Sequence, residues 1–359
     1  MSADFKAPVA SHAEPARSHL YRVAIVGASS LKGKEVADVL SDRNFPSTDV
    51  KLLDDDESLG QLEAVGDEVA FIQKVRAEEF HHVDFSFFAS DPECTRKTWK
   101  TARAAGSAIV DLSYGLEDEP EAVVRSPWLE RQLGQSPAPE LQPGPAVVAH
   151  PAAVVLALLM ERLRKAGEIR RVVAIVFEPA SEHGQKGMDE LHEQTVNLLS
   201  FQQLPKNVFD IQVAFNMVSR YGEQSAPALA TMENRILKHY LKVAGKGAPV
   251  PSLLLVQAPI FHGHAFALNA ETGEPADLGR ISQWLAGEHV HVTQGAEEAP
   301  SNVNAAGQSD VQVSIRPDDT RPNGFWLWAA SDNLRVAAAT AVECAETMAV
   351  TRPPRGKVQ

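Results

Sequence analysis

The stretch that most constrains this chain is residues 21–40, YRVAIVGASSLKGKEVADVL. Residues 22–26 form a short β-branched run ending in Gly27, the pattern of a strand buried in a parallel sheet. From Lys34 the period changes, and Val36, Val39 and Leu40 recur at helical spacing. Between the two lies Gly27-Ala28-Ser29-Ser30-Leu31-Lys32-Gly33. Gly27 permits a sharp turn and Gly33 a close packing of helix on strand, so the N–H groups of the helix end face any bound anion. This is the outline of a dinucleotide-binding turn. The middle glycine of G-x-G-x-x-G is missing, and Ser30 stands near its place. Gly27, Ser29, Ser30, Leu31, Lys32 and Gly33 are therefore the candidate cofactor contacts. A strand–helix corner with no ligand satisfies the same pattern.

A second strand at 50–53 ends in Asp54-Asp55-Asp56-Glu57, about twenty residues past the turn. A carboxylate there accepts hydrogen bonds from a ribose 2′-OH and repels a 2′-phosphate. Asp54 thus favours NAD over NADP, although a solvated acidic loop is the alternative. Further strands at 69–72, 83–89, 108–112 and 146–149, with a helix at 95–105, imply a parallel, doubly wound sheet. Residues 136–145, rich in Pro and Gly, read as a surface connector.

The character then changes. A helix runs to Lys165, a strand covers 171–177, and helices are expected from near Gly187, over 228–243 and over 278–286. Strands at 252–259, 263–270, 311–315 and 325–330 complete an α+β region, and an Ala-rich helix at 333–349 can return to the first domain. The expected class is α/β: a Rossmann-type doubly wound parallel sheet with a second α+β dimerisation domain. Residues 21–150 with 331–350 would form the dinucleotide-binding domain and 151–330 the second domain, flanked by disordered tails at 1–20 and 351–359.

At 359 residues there is material for two cores. The net charge of −13 argues against nucleic acid or an anionic membrane as a partner, since phosphate binding needs clustered Lys and Arg. Two cysteines, Cys94 and Cys344, without metal-ligand spacing point to a reducing compartment. The first twenty residues lack an apolar signal core, and the longest apolar run, 152–160, is too short to span a bilayer. The expected location is cytoplasmic.

Four stretches then occur in one order: the glycine turn, Arg43-Asn44-Phe45-Pro46, Lys186-Gly187-Met188-Asp189-Glu190-Leu191, and Ser331-Asp332-Asn333-Leu334-Arg335. The combination resembles the aspartate-semialdehyde dehydrogenase family over residues 21–348. The resemblance implies a nucleotide-binding domain completed by the C-terminal helix, an inserted dimerisation and catalytic domain, and a homodimer. It also implies Asn333 in the cofactor site. The family's reaction is the NADP-dependent interconversion of aspartyl phosphate and its semialdehyde, through a cysteine thioester and with inorganic phosphate.

Carried over residue by residue, the resemblance breaks at the site. The family's P-N-C-[ST] turn reads His150-Pro151-Ala152-Ala153-Val154 here, so Ala153 holds the nucleophile's place. The glutamine of Q-x-x-S-G-A-G becomes Glu178, in Glu178-Pro179-Ala180-Ser181-Glu182-His183-Gly184. The substrate arginine, seven residues before the base histidine, becomes Gln257, which cannot reproduce a guanidinium fork. The base position is kept as His264, and Gly222-Glu223-Gln224-Ser225-Ala226-Pro227 lacks the lysine of a phosphate-binding E-x-K. Loss of a covalent nucleophile costs on the order of 10⁶ in rate, roughly 8 kcal/mol of barrier.

Two readings follow. One is a non-catalytic dimeric relative that acts by nucleotide binding or regulation. The other is an active NAD(P)-dependent oxidoreductase on an aldehyde or oxo group by a cysteine-independent route, kept open by the retained turn, His264 and Asn333, whereas the joint loss of nucleophile, arginine and glutamine favours the first. Cys94, after a strand and near a helix start, is either a displaced nucleophile or a small buried hydrophobe. His262 and His264 would face one side of a strand, as two zinc ligands do, but no third ligand lies at diagnostic spacing. The continuous apolar runs at 172–177 and 253–256 suggest strands covered on both faces, with a partner subunit supplying the second cover.

Overall fold

The computed structural model describes residues 20–54, 60–65, 68–135, 144–295 and 297–350. The expected tails, the acidic residues 55–57 and most of the 136–145 connector lie outside the described residues.

In chain order the first half contains β1 (Tyr21–Val26), α1 (Leu31–Asp42), β2 (Ser47–Asp54), β3 (Leu62–Val65), β4 (Glu68–Phe71) and β5 (Gln73–Lys74). It continues with β6 (Phe85–Phe88), α2 (Pro92–Ala104), β7 (Ala108–Asp111), β8 (Val123–Arg125), α3 (Pro127–Gln132), β9 (Ala146–Val148) and α4 (Pro151–Ala166). Seven of these strands form one parallel sheet in the order β5-β2-β1-β6-β7-β9-β8. Val23, Ile25, Val26, Phe85, Phe87 and Phe88 are wholly buried, as strands covered on both faces require. Phe45 of the Arg43-Asn44-Phe45-Pro46 stretch packs edge-on against Phe85, its ring centroid 5.8 Å away.

The strand expected at 69–72 is a correction. It is β4, paired antiparallel with β3 in a separate ribbon, and β5 takes the sheet edge instead. Only Gly66-Asp67 joins β3 to β4, and so short a link can connect only antiparallel neighbours.

The second half contains β10 (Ile169–Glu178), α5 (Gly184–Leu199), α6 (Leu229–Val243), β11 (Ser252–Gln257), β12 (His264–Thr272) and α7 (Leu278–Leu285). Then come β13 (Val290–Val292), α8 (Asn302–Ala305), β14 (Val311–Pro317), β15 (Gly324–Ser331) and α9 (Asn333–Ala349). Its sheet is mixed, in the order β11-β10-β12-β15-β14-β13. β10 alternates buried Val172, Ala174, Val176 and Glu178 with half-buried Val173, Ile175 and Phe177. Phe177 lies 5.9 Å from Trp328 of β15, which is exposed, as is Leu254 of β11. One face of this sheet is a core; the other is apolar and open in the single chain.

Two helices tie the sheets together. α4 is apolar around its whole circumference from Pro151 to Met160, and every residue from Pro151 to Leu163, Glu161 and Arg162 included, is buried, against α3, α6, α7, α9 and β10. α9 begins as soon as β15 ends, because Asp332 caps it by accepting the Leu334 and Arg335 N–H groups at 2.9 and 3.0 Å. It then returns to the first sheet beside α1, where Arg335 pairs with Glu35 at 3.1 Å and Arg43 with Glu346 at 2.7 Å.

Candidate functional site

At the β1–α1 turn, Gly27 has φ +84, and a Cβ there would lie 2.3 Å from the Ser90 nitrogen. A Cβ on Gly33 would lie 2.1 Å from the Gly27 carbonyl oxygen, so helix and strand meet at glycine distance. Ser30 caps α1. Its Oγ accepts the Gly33 N–H at 2.9 Å and donates to the Ala89 carbonyl at 2.9 Å, linking the turn to the end of β6. The Ser29 N–H donates to Asp54 Oδ2 at 2.8 Å, which holds this carboxylate at the end of β2 against the turn. Among the described residues no acceptor meets the N–H groups of Leu31 and Lys32. Two amides at a helix N-terminus beside a strand-end carboxylate suit a pyrophosphate and the neighbouring ribose.

The second group of residues gathers where the two sheets meet. His150 caps α4, its Nδ1 accepting the Ala152 N–H at 3.2 Å, while its own N–H donates to His239 Nδ1 at 3.0 Å. Pro151 then fills the first helical turn, and Ala152 and Ala153 are wholly buried. Glu178 at the end of β10 and His264 at the start of β12 are both fully buried, with Oε2 and Nε2 2.9 Å apart. Gly263, at φ +82, turns the chain into β12 and donates its N–H to Asn333 Oδ1 at 3.0 Å. His262 consequently precedes the strand, so the two histidines do not alternate along it. Among the described residues no group of three or more His, Cys, Asp or Glu is arranged to hold a metal.

Gln257 is spent on the protein. Its Oε1 accepts from Tyr221 at 2.6 Å, and its Nε2 donates to the carbonyls of Glu178 and Ala258 at 3.1 and 2.8 Å. Arg235 forks Glu117 with two bonds of 3.0 Å and lies over the Tyr114 ring, so this guanidinium is committed as well. Glu182, its side chain 2% exposed, accepts from Asn333 Nδ2 at 2.8 Å and lies 3.8 Å from Lys32 Nζ and 3.7 Å from His150 Nε2. Lys32 Nζ also reaches the Leu112 carbonyl at 3.3 Å and the Tyr114 hydroxyl at 3.4 Å.

Burial alone would depress the His264 pKa. The bond to Glu178 and the charges of Glu178 and Glu182 outweigh it and raise the imidazole above its usual value. Burial raises the Glu178 carboxyl too, against the pull of His264, so the pair favours keeping its shared proton. Glu182 goes the other way: burial opposes its ionisation, but Lys32, His150, His264 and Asn333 together bring it down to about 2. Burial lowers His150 well below the ordinary histidine value. Cys94 lies in the first turn of α2, where burial raises its thiol pKa, the opposite of an activated thiolate.

The structure thus brings Lys32, His150, Glu178, Glu182, His264 and Asn333 into one cluster, next to the turn, and Ala153 lies in the first turn of the helix that His150 caps; among the described residues, none of the cluster's contacts involves the side chain of Cys94 or His262. Sequence reasoning overlooked Glu182 and His150 as members, although both stand inside the two motifs that depart from the family pattern. Tyr114 and His239 carry no spacing signal and arrive only through the fold.

A parallel sheet with a glycine turn, joined through a buried helix to a mixed sheet with an open apolar face, defines a two-domain dehydrogenase architecture. Comparison with known proteins gives the family. "Semialdehyde dehydrogenase, NAD binding domain" matches residues 22–135, and "Semialdehyde dehydrogenase, dimerisation domain" matches residues 160–336. The chain is 29% identical to an aspartate-semialdehyde dehydrogenase of Rickettsia bellii over 338 residues, 92% of this chain and 98% of the relative. It is 30% identical to a USG-1 protein homolog of Pseudomonas aeruginosa over 319 residues, covering 88% and 94%. The solved structure of a probable aspartate-semialdehyde dehydrogenase from Pseudomonas aeruginosa superposes with a TM-score of 0.80 at 28% identity, covering 92% and 98%. This chain belongs to the aspartate-semialdehyde dehydrogenase family. Among the described residues no helix is long and apolar enough to cross a membrane.

Proposed function

We propose that this protein is a homodimeric, nucleotide-binding member of its family that does not carry out the thioester reaction and acts by binding or regulation. The observation that carries the reading is Ala153. It lies at the N-terminus of α4, wholly buried, where a methyl group cannot attack a carbonyl. Three further features support it. Glu178 and His264 are occupied with each other, so the base position serves a buried pair. Gln257 and Arg235 are both engaged with protein groups, which leaves neither to grip an acidic substrate. Glu178 and Glu182 add carboxylates where such a substrate would need cations.

Nucleotide binding rests on the Leu31 and Lys32 amides, and the choice of NAD over NADP on the Asp54 carboxylate held beside them. Residues 21–150 with 331–350 form the nucleotide-binding unit in this reading, and 151–330 the dimerisation unit. Dimer formation rests on the open sheet face of Val173, Ile175, Phe177, Leu254 and Trp328, an apolar surface that a second copy would cover. The cytoplasm is the compartment proposed for it. Light scattering should give twice the 38.9 kDa chain mass. Calorimetric titration should show saturable binding of NAD. A monomer, or no binding of either dinucleotide, would overturn the corresponding part of the proposal.

A further inference from the structure

The family implies a whole dinucleotide, and the residues present fit only part of one. In an open parallel sheet a dinucleotide lies across the carboxyl ends of the strands, with its pyrophosphate on the helix that follows the first strand. The strand order here is β2-β1-β6-β7. Asp54 ends β2 and marks the adenosine side, so the nicotinamide half has to run the other way, past the ends of β6 and β7.

That path is occupied by the chain itself. Lys32, the second residue of α1, extends over the end of β7, where its Nζ is bonded to the Leu112 carbonyl and the Tyr114 hydroxyl. Next along the path is the Glu182 carboxylate, closed in by Lys32, His150 and Asn333. Asn333, the residue the family resemblance assigns to the cofactor, has spent its amide on protein. Its Nδ2 donates to Glu182 and Ser181 Oγ, and its Oδ1 accepts the Gly263 N–H. The Asn333 amide is thus no free partner for a nicotinamide carboxamide, and the Lys32 ammonium disfavours a cationic ring beside it. Glu182 stands at the position where the family's Q-x-x-S-G-A-G segment has its first glycine, so a side chain fills space that glycine leaves open.

We infer that the site takes the adenosine diphosphate half of a nucleotide and leaves the nicotinamide half unbound, its place filled by Lys32, Glu182 and Asn333. The inference deepens the nucleotide-binding reading above and rests on it. The ligand class is an adenosine diphosphate, free or as part of a larger molecule, and the protein responds to it without touching a redox ring.

The test is calorimetry on the full chain with ADP, ADP-ribose and NAD, paired with NADH fluorescence. The three ligands should bind within about threefold of one another, and NADH emission should stay that of the free ring at saturation. Glu182→Gly, which opens the path, should let NAD bind about tenfold tighter than ADP. If NAD exceeds ADP about tenfold in the unaltered chain, or NADH emission rises on binding, the inference is wrong while the nucleotide-binding reading stands. If none of the ligands binds, the reading beneath it fails and takes the inference with it.

Discussion

Replacing His264 with alanine isolates the pair that fills the base position. Glu178 is wholly buried, and His264 Nε2 is its charged partner at 2.9 Å; its other oxygen has no hydrogen-bond partner among the described residues. Without the imidazole, Glu178 must take a proton in the folded state. At pH 7, protonating a group that ionises near 4.5 when unfolded costs about 3.4 kcal/mol, from about 1.4 kcal/mol per pH step. That agrees with the roughly 3–5 kcal/mol measured when one partner of a buried ion pair is removed. A melting entropy of about 2.1 cal/mol/K per residue over 359 residues makes this a drop of about 4–7 °C in Tm.

The sign of the pH dependence follows from the direction of the shift. A carboxyl raised in the folded state is no burden below its unfolded value and an increasing one as pH rises past it. The gap between His264→Ala and the unaltered protein should therefore be widest at pH 7 and shrink to about 1 kcal/mol at pH 5, apart from the constant cost of the lost ring. Differential scanning calorimetry at the two pH values reads this out. The double variant E178Q/H264A should lose the pH dependence. A gap equal at both values, or larger in acid, would show that Glu178 is not a buried carboxylate dependent on His264.

Three other substitutions probe separate parts of the account. Asp54→Asn keeps an acceptor for the Ser29 N–H but removes the charge, so a competition titration should show preference for NAD over NADP falling about tenfold. An unchanged ratio would remove Asp54 from cofactor choice. Asp332→Ala deletes the cap of α9 and the acceptor for the Gly307 N–H, and should cost about 1–2 kcal/mol, lowering Tm by about 1–3 °C. A Tm within error of the parent would contradict the assigned cap. Glu182 is depressed from 4.5 to about 2, so its stabilisation is complete above pH 4.5 and is lost as pH falls toward 2. Glu182→Gln should flatten the acid limb of the stability curve in that window, and an unaltered limb would mean the carboxylate is not held ionised.

The fold was legible wherever one local signal settled the matter. A β-branched run into Gly27, then helical periodicity after Gly33, leaves little besides a parallel strand–turn–helix, and β1 and α1 fall there. The sheet that residues 69–72 join is not legible from β propensity, which marks a strand without naming its partner; the short Gly66-Asp67 link decides it. β8, α3, β13 and α8 are six residues or shorter and left no periodicity to read. At the site, the motifs located Ala153, Glu178, His264 and Asn333, because each stands in a run with fixed order. They did not reveal that Lys32 reaches from the glycine turn to Glu182. That contact joins residues 150 positions apart and depends on the start of α1, the end of β7 and the turn between β10 and α5 meeting at one corner. Likewise, Gln257 read as the loss of an arginine, and its ties to Tyr221, Glu178 and Ala258 exist only in three dimensions.

The central claim is that the protein does not catalyse the family's reaction, and turnover tests it most directly. Purified protein at micromolar concentration, with aspartate semialdehyde, inorganic phosphate and NAD or NADP, should produce no reduced nicotinamide above the protein-free control. Ala153→Cys alone should not change that, since Gln257, Glu178 and Glu182 remain as they are. Phosphate-dependent turnover by the unaltered chain at about 1 s⁻¹ or faster, an ordinary enzymatic rate, would contradict the account outright.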